Sequence, residues 1–445
     1  MTVDNIAAGV SPADIETTED FVQRVATRRA RVGIVGLGYA GLPLAIAFAE
    51  AGFETTGLEL NPDRVAAVRD GRSYLVDVPE GRYADAGGRL DATDDFEAVG
   101  ELDALTICVP TPLQNLRPDL GYVKRAAEMV AANLRPGTLV ILQSTTTPGT
   151  TEELLVGILE NAGFRVGDDV FLGYAPERVD PGNPRYGLRN TPKIVSGVTD
   201  ECRERTRALY ATVVDEVVPV SSPTVAETVK LHENTFRQVN IALANELALM
   251  CERLGISAWE VIDAAKTKPF AFMAHYPGPG VGGDCIPVVP HFLTWRLREK
   301  GYTTRLVDAA HAVNSEMPHH VANKVVDALN DAGRAVKGSR ILILGVTYKP
   351  DVHDTRESPA LEVIRELDRR GGAVRYCDPY VDKVLVGDRL HERTPWSFET
   401  MAEADCVVML VPHREFLEAP YWREADLLVD AGNHAAGDAQ AVWRL

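Results

Sequence analysis

Three glycines, Gly36, Gly38 and Gly41, stand between an apolar run that ends at Val35 and a helical stretch that begins at Leu42. Few folds accept that spacing. Gly36 permits a tight turn, Gly38 lets a pyrophosphate approach the backbone, and Gly41 lets the next helix pack closely on the strand it leaves. The helix N-terminus then faces the phosphates. The following strand, Glu54 to Leu58, ends in Glu59, 18 residues beyond Gly41. A carboxylate there binds a ribose 2′-hydroxyl and repels a 2′-phosphate, so NAD is expected rather than NADP.

The apolar runs Val32 to Val35, Ala104 to Val109 and Thr138 to Leu142 alternate with helical stretches such as Leu42 to Ala51 and Asp119 to Ala132. A parallel sheet covered by helices is the economical reading. Val109-Pro110-Thr111-Pro112 and Ser144-Thr145-Thr146-Thr147-Pro148-Gly149-Thr150 end two of these runs, at the carboxyl edge where such sheets bind ligands. Hydroxyl-rich turns that only cap a following helix would read the same way.

Around Val213 to Val220 the alternation stops, and Ser222-Pro223 opens a helix that runs to about Leu254 and closes at Gly255. Its length suits a spine and a subunit interface, and a homodimer or higher homo-oligomer is expected. The α/β pattern returns at Arg340, with a strand to Leu344, a Ser358-Pro359 helix start, a stop at Gly371-Gly372 and further apolar runs at Ala373 to Tyr376, Cys406 to Val411 and Leu427 to Val429. The fold class is therefore α/β: two doubly wound Rossmann-like domains joined by a central helical domain with a long spine helix. The expected boundaries are 1–27 for an N-terminal extension carrying a short helix from Thr18 to Ala26, 28–212 for the NAD-binding domain, 213–328 for the helical domain and 329–445 for the second doubly wound domain.

Composition narrows the partners. The formal charge of −18, from 46 basic and 64 acidic residues, argues against nucleic acid or an anionic membrane, which need a local Lys/Arg excess. The six cysteines are scattered without a C-x-x-C pair, as in a reduced, cytoplasmic protein. No run reaches the ~18 apolar residues of a membrane span.

Chemistry enters with Cys285, held in Pro277-Gly278-Pro279-Gly280-Val281-Gly282-Gly283-Asp284-Cys285-Ile286-Pro287. Small residues around a thiol let a substrate reach the sulfur, which can attack an aldehyde before a nicotinamide removes a second hydride; an inert packed cysteine is the plain alternative. Lys230 and Asn234 lie four residues apart on one face of the long helix, where an ammonium and an amide could stabilise a developing alkoxide.

Together with Ala175-Pro176-Glu177-Arg178 and Gly345-Val346-Thr347-Tyr348-Lys349-Pro350-Asp351 through Asp354-Thr355-Arg356-Glu357-Ser358, these segments resemble the UDP-glucose/GDP-mannose dehydrogenase family over nearly the whole chain. Within it the chain looks most like the bacterial UDP-N-acetylglucosamine 6-dehydrogenases. The resemblance implies a twofold oxidation of a UDP-sugar C6 alcohol to the acid with two NAD molecules in succession, for polysaccharide biosynthesis. It makes Cys285 the nucleophile that forms a thiohemiacetal and then a thioester, with Lys230 and Asn234 on the reacting oxygen and Glu177 and Thr145 in acid/base and water-positioning roles. It assigns Gly36, Gly38, Tyr39, Ala40, Gly41, Glu59, Arg64, Pro110, Thr111, Thr145 and Arg356 to the cofactor. The UDP-sugar takes Glu177, Arg178, Lys230, Asn234, Lys268, Gly282, Lys349 and Asp351, with the second doubly wound domain on the nucleotide-sugar side and Lys268 reaching it across a dimer interface. No metal is implied.

Two positions depart from the family's Gly-Gly-His-Cys-Ile-Pro-Val-Asp-Pro: Asp284 replaces the histidine and Val289 the aspartate. The missing acid is the one that, with Lys230, activates water against the thioester, and general-base help is worth about 10² to 10⁴ in rate. Hydrolysis should suffer first. A carboxylate at Asp284 opposes thiolate formation where a cationic histidine would aid it. Asp284, Glu177 or His291 could replace the base; the reaction could stop at two electrons or pass through a transient oxidation, as in an epimerase; or the chain could bind nucleotide sugars without catalysis.

Overall fold

The computed structural model describes residues 17–75, 78–180, 182–434 and 442–445; Asp14 and Glu16 of the acidic extension lie outside them. Contacts divide the chain into two compact units, residues 1–232 with 291–300 and residues 233–290 with 301–445. The stretch 213–328 is shared between them.

The first unit is built on an eight-stranded sheet: β1 (Val32–Val35), β2 (Thr55–Leu58), β3 (Leu90–Thr93), β4 (Ala104–Ile107), β5 (Leu139–Leu142), β6 (Phe171–Tyr174), β7 (Lys193–Gly197) and β8 (Val217–Pro219). They lie in the order β8-β7-β6-β5-β4-β1-β2-β3. β1, β4, β5 and β6 are buried at every position, as helices on both faces of a parallel sheet require. The order reverses between β1 and β4, so the turns after these two strands face one crevice.

The sheet is not wholly parallel as the alternation suggests. β7 runs antiparallel to β6, with Gly173 opposite Gly197 and Tyr174 opposite Ser196. The reason lies in the connection: the described residues of 175–192 contain no helix, and without a crossover helix the chain returns beside β6 in the opposite sense. Lys193, the first residue of β7, is thereby delivered to the carboxyl edge of the parallel strands.

The short helix Thr18–Ala26 forms where expected, capped by Thr17, whose Oγ1 accepts from Asp20 N at 3.1 Å. Phe21 and Val25 bury its inner face. Beneath it the fully buried Arg205 guanidinium lies 5.0 Å from the Phe21 ring centre and 3.5 Å from that of Phe171, and its Nε donates to Thr18 Oγ1 at 3.2 Å. A cation between two rings offsets the desolvation of its charge.

The long helix Pro223–Leu254 starts as Ser222-Pro223 predicts and continues from the first unit into the second. Its first turns interlock with the helix that begins at Thr151. Glu227, with no exposed surface, accepts from Gly149 N at 2.6 Å, Thr151 N at 2.9 Å and Thr151 Oγ1 at 2.7 Å. In return Glu152 accepts from Thr224 N at 3.2 Å and from the Thr224 hydroxyl. Each helix start is capped by a glutamate of the other, which satisfies donors that a helix cannot satisfy itself.

In the second unit β9 (Arg340–Leu344), β10 (Ala373–Cys377), β11 (Cys406–Met409), β12 (Leu428–Asp430) and β13 (Val442–Arg444) form an all-parallel sheet in the order β10-β9-β11-β12-β13. Ser358 caps the helix Pro359–Arg369, its Oγ accepting from Ala360 N at 3.3 Å. A second long helix, Arg305–Asp331, has no counterpart in the sequence reading because Pro318 interrupts its pattern. Asparagines tie it to the spine: Asn245 Nδ2 donates to Asn314 Oδ1 at 2.9 Å and Asn314 Nδ2 to Gln238 O at 3.1 Å.

Burial pushes the Glu227 carboxyl up to about 7 against the opposing pull of Thr151 and Gly149, and a proton there can be donated to Thr151 Oγ1. The folded chain therefore holds this proton to higher pH than the unfolded one. The stabilisation is complete below the ordinary carboxylate range and is lost as pH rises towards 7. Glu227→Gln removes this titration while leaving a donor against Gly149 N. The stability advantage of wild type over the variant should shrink between pH 4.5 and 7.5 by up to about 3 kcal/mol, read from urea melts at several pH values; a difference that stays constant or grows with pH would refute it.

Candidate active site

The crevice of the first unit is shaped by what its glycines exclude. A Cβ on Gly41 would lie 1.9 Å from Gly36 O, and one on Gly36, whose φ is +89°, would lie 2.8 Å from Cys108 O. Helix, turn and the end of β4 are thus pressed together without room for side chains. Gly38 differs, since a Cβ there would meet nothing within 4 Å. The open space lies over the turn at the N-terminus of the helix Gly41–Glu50, as an approaching pyrophosphate requires.

Glu59 follows β2 and is nearly buried, accepting from Leu37 N and Asn61 N, each at 3.0 Å. Arg64 Nη1 stands 3.4 Å from Glu59 Oε2 and Tyr74 OH donates to Leu37 O at 2.6 Å, so two side chains buttress the glycine turn from below. Tyr74 had no signal in the sequence. Tyr39 and Ala40 lie in the turn itself, and the Tyr39 side chain is largely exposed. On the other side of the crevice Pro110 and Thr111 follow β4, and Ser144 Oγ donates to Val109 O at 2.8 Å, tying the turn that carries Thr145 to the turn after β4.

Glu177 follows β6 at the same edge. Its Oε1 accepts from Arg178 N and Val179 N, each at 2.8 Å, and its Oε2 from Gln143 Nε2 at 3.1 Å and Lys193 Nζ at 3.2 Å. The Arg178 guanidinium is spent partly on Pro192 O, at 2.5 Å. Lys193 escaped the sequence reading, although a lysine opening the apolar run Ile194-Val195 is a signal once β7 is known to be buried.

Lys230 and Asn234 share one face of the spine helix. Lys230 is buried and makes no hydrogen bond or ion pair among the described residues, and Asn234 Nδ2 is buried without an acceptor. One turn further, both amide atoms of the fully buried Gln238 are unpaired. Unpaired buried donors cost about 1–3 kcal/mol each, so such a row calls for a ligand.

In the second unit the loop of Cys285 lies against the turn after β9. A Cβ on Gly282 would come within 2.7 Å of Tyr348 Cβ and 2.8 Å of Glu357 O, and Gly283 N donates to Arg356 O at 3.0 Å. The Cys285 side chain is exposed. Asp284 is not a bare charge beside it: its carboxylate pairs with the Arg356 guanidinium, which Asp354 also grips through Nε at 3.0 Å and Nη2 at 2.6 Å. The negative charge of Asp284 is thus paired, and Arg356 is held by two carboxylates. Desolvation raises the Asp284 carboxyl above its ordinary range, with Arg356 opposing the rise.

β9 and β11 flank the second reversal of strand order, and a cleft of about 130 Å³ opens there, lined by Pro279, Gly280, Thr347, Tyr348, Pro359 and Val411 among others. Gly345, with φ +84°, has no space for a Cβ against Val411. Lys349 belongs to this rim, its Nζ 5.6 Å from the Tyr348 ring centre. Asp351 serves the loop's own shape: at φ +58° its N–H donates to His413 Nδ1 at 3.0 Å, and its Oδ1 accepts from Arg414 N at 3.0 Å. Because Nδ1 of the fully buried His413 accepts that bond, Nε2 is the ring nitrogen left to donate, and it faces Asp378 Oδ2 at 3.0 Å. Burial would raise the Asp378 carboxyl, but His413 and the Val346 and Tyr380 N–H groups hold it below its ordinary range. Lys268 sits in an exposed stretch with its Nζ 5.0 Å from the Phe270 ring centre. No cluster of three metal-ligating side chains occurs among the described residues.

Residues 30–214 match the NAD binding domain of the UDP-glucose/GDP-mannose dehydrogenase family, residues 224–316 its central domain and residues 342–436 its UDP binding domain. The chain belongs to that family. A UDP-N-acetyl-D-mannosamine dehydrogenase of Pyrococcus horikoshii is 37% identical over 391 residues, covering 87% of this chain and 90% of the relative. A UDP-N-acetyl-D-glucosamine 6-dehydrogenase of Pseudomonas aeruginosa is 35% identical over 391 residues, covering 87% and 91%. Among solved structures, the UDP-D-ManNAc dehydrogenase of Pyrococcus horikoshii aligns with a TM-score of 0.85 at 33% identity over 93% of this chain and 98% of that one. The UDP-glucose dehydrogenase of Pyrobaculum islandicum aligns at 0.82 with 26% identity over 98% and 99%.

The chain is an NAD-dependent nucleotide-sugar dehydrogenase, and the crevice around Gly36–Gly41 fits that cofactor. No described helix is long and apolar enough to cross a membrane. The contrast between two glycines gives a direct test. Gly38→Val fills the open space and should weaken NAD binding by at least about tenfold while leaving Tm within about 2 °C, whereas Gly41→Ala drives a Cβ into a backbone oxygen and should lower both. Calorimetric titration and thermal melts of the two variants read this, and equal NAD affinity in Gly38→Val and wild type would be decisive against it.

Proposed function

We propose that this enzyme oxidises the C6 alcohol of a UDP-N-acetylhexosamine to the uronic acid in two successive two-electron steps. The observation that carries the reading is the pair of buried, unpaired donors on one helix face, Lys230 and Asn234. An ammonium and an amide with no protein acceptor are suited to an oxygen that gains negative charge only during reaction. The relatives' printed substrates, UDP-N-acetyl-D-mannosamine and UDP-N-acetyl-D-glucosamine, support the hexosamine class. Glu59 and the glycine turn would hold NAD, which accepts the hydrides when bound; Pro110, Thr111 and Thr145 belong to the same crevice, and the family resemblance adds Arg356.

In the first step the alcohol loses its proton and a hydride and becomes the aldehyde. The Cys285 sulfur then bonds to the aldehyde carbon, and the thiol proton passes to the new hydroxyl. A second hydride leaves this thiohemiacetal together with the hydroxyl proton, which gives the thioester. Water breaks the carbon–sulfur bond to release the acid and restore the thiol. Lys349, Gly282, Arg178 and Lys268 serve the nucleotide sugar, and Thr145 the water, with Glu177 contributing its charge to the site. Val289, where the family places its hydrolytic carboxylate, is buried and apolar, and Asp284 is engaged by Arg356. Deacylation is therefore the slow step, and the acyl-enzyme accumulates. The unpaired state of all six cysteines accords with a cytoplasmic enzyme that feeds polysaccharide assembly.

A homodimer is part of the proposal. Phe236, Leu243, Met250 and Leu254 recur at seven, seven and four residues along the spine helix and are 45%, 61%, 45% and 70% exposed. A heptad seam of that kind on one long helix matches the same helix of a second copy. Leu243→Glu should convert dimer to monomer in sedimentation velocity, and an unchanged mass would remove this surface from consideration.

The reaction itself is tested by incubating the enzyme with NAD and a panel of UDP-N-acetylhexosamines while following NADH and intact protein mass. Two NADH per sugar are expected, the first turnover faster than the rest, with a mass gain of one oxidised sugar nucleotide that Cys285→Ser abolishes. Val289→Asp should raise the steady rate about 10²-fold or more. One NADH per sugar indicates an oxidation that ends at the aldehyde, and none indicates a binder or, where the sugar is altered, a transient oxidation; each of these results overturns the reading.

A further inference from the structure

Glu177 is the acid/base candidate of the first unit, yet its geometry shows no capacity to spare. A carboxylate offers about four acceptor sites. Here Arg178 N and Val179 N fill those of Oε1, at 2.8 Å each, and Gln143 Nε2 and Lys193 Nζ fill those of Oε2, at 3.1 and 3.2 Å. Three of these donors are neutral. The fourth is an ammonium only 2% exposed, brought to this edge because β7 runs against β6.

We propose that Lys193 is a positioning residue for the oxidation, holding Glu177 as a fixed carboxylate whose place and charge are set before substrate arrives. The inference rests on the reading of Glu177 as part of the reacting site. Lys193 is itself located on three sides. Gln143 Oε1 accepts from its Nζ at 3.1 Å and from Tyr210 OH at 2.6 Å, and the Tyr210 ring centre lies 5.1 Å from Nζ. Arg178, which follows Glu177, binds the carbonyl of Pro192, which precedes Lys193, so the two partners are also joined through backbone. The charged and titratable groups that face Lys193 are Glu177, Cys108, Lys230 and Tyr210.

The electrostatics agree with the geometry. Burial alone would raise the Glu177 carboxyl, but the Lys193 charge and the bonds from Val179 N, Lys193 and Arg178 N outweigh it and keep the group below its ordinary range. Burial lowers Lys193, Glu177 opposes the fall, and the Lys230 charge adds to it. Removing the lysine leaves a half-buried carboxylate without its cation, and its affinity for a proton then rises. Once protonated, Glu177 would no longer accept hydrogen bonds on that oxygen.

The test reads the first NADH burst in single turnover, so that slow deacylation does not mask it. In Lys193→Met the acid limb of the burst rate should move up by at least about one pH unit, with a rate loss of about tenfold or more at pH 7 that shrinks at pH 9. The concentrations of NAD and UDP-sugar giving half the maximal burst should stay within about threefold of wild type, and Lys193→Arg should restore the limb. In Glu177→Gln the limb should vanish. A Lys193→Met protein whose rate falls equally at every pH, with the limb in place, makes the lysine a structural residue only and overturns the proposal. Should that variant fail to fold, Gln143→Leu removes a neutral donor from the same oxygen and should move the limb in the same direction by less; an unmoved limb there is equally fatal. Loss of the limb in Glu177→Gln with no shift in the lysine variant refutes the role of Lys193 alone, whereas full activity in Glu177→Gln refutes the reading on which it rests.

Discussion

The carboxyl of Glu227, closed in against the first turn of a neighbouring helix, fixes how the spine helix is rotated about its own axis. With Gly149 N, Thr151 N and Thr151 Oγ1 all on that one side chain, and Glu152 returning the favour to Thr224, neither helix can turn without stranding buried donors. Lys230 follows three residues later, and Asn234 and Gln238 continue its face by helix geometry alone. Their polar groups are left without protein partners in the one arrangement that satisfies the helix starts. A chain tolerates such a row only where something else completes it, and under the proposed reaction that is the oxygen undergoing oxidation.

The same economy governs both sheets. Each places a glycine with positive φ straight after its first strand, pressed against the turn that follows the strand across the reversal of order: Gly36 against Cys108 and Gly345 against Val411. The close approach is what makes a crevice there, because side chains at these positions would wedge the two turns apart. Around each crevice stands a layer of supports. In the first unit Tyr74 and Arg64 hold the glycine turn and the Glu59 carboxylate, and in the second the buried His413–Asp378 pair holds the loop from Val346 to Asp351. These supports keep the crevice rigid, which is how a binding site avoids an ordering cost when its ligand arrives.

The loop of Cys285 shows how a substitution is absorbed. An aspartate at 284 would place an unwanted charge beside the proposed nucleophile, yet Arg356 takes it up, and the loop gains an ionic tie in addition to the Gly283–Arg356 backbone bond. Nothing comparable compensates Val289, whose buried aliphatic side chain cannot take or give a proton. The chain thus keeps the groups that the proposed reaction needs to form an acyl-enzyme and has no carboxylate at position 289 to resolve it.

Much of this was legible in the order of residues. Glycines spaced for a tight turn, an acid after the second strand, Ser-Pro helix starts at 222 and 358 and a cysteine among small residues are local signals, and local sterics and capping act on neighbours in the chain whatever surrounds them. They were enough for the class of fold, and they named the residues proposed to meet the ligands. What they could not reveal are pairings between residues far apart in the chain: Lys193 on Glu177, Glu227 on Gly149, Arg356 on Asp284, His413 on Asp378. Each joins groups that no periodicity relates, and the first exists only because a helix-free connection turns one strand round. Local chemistry names the reactive groups; their charge state and aim are decided by long-range burial, since only a folded interior removes water and leaves each polar atom to find its partner across the chain.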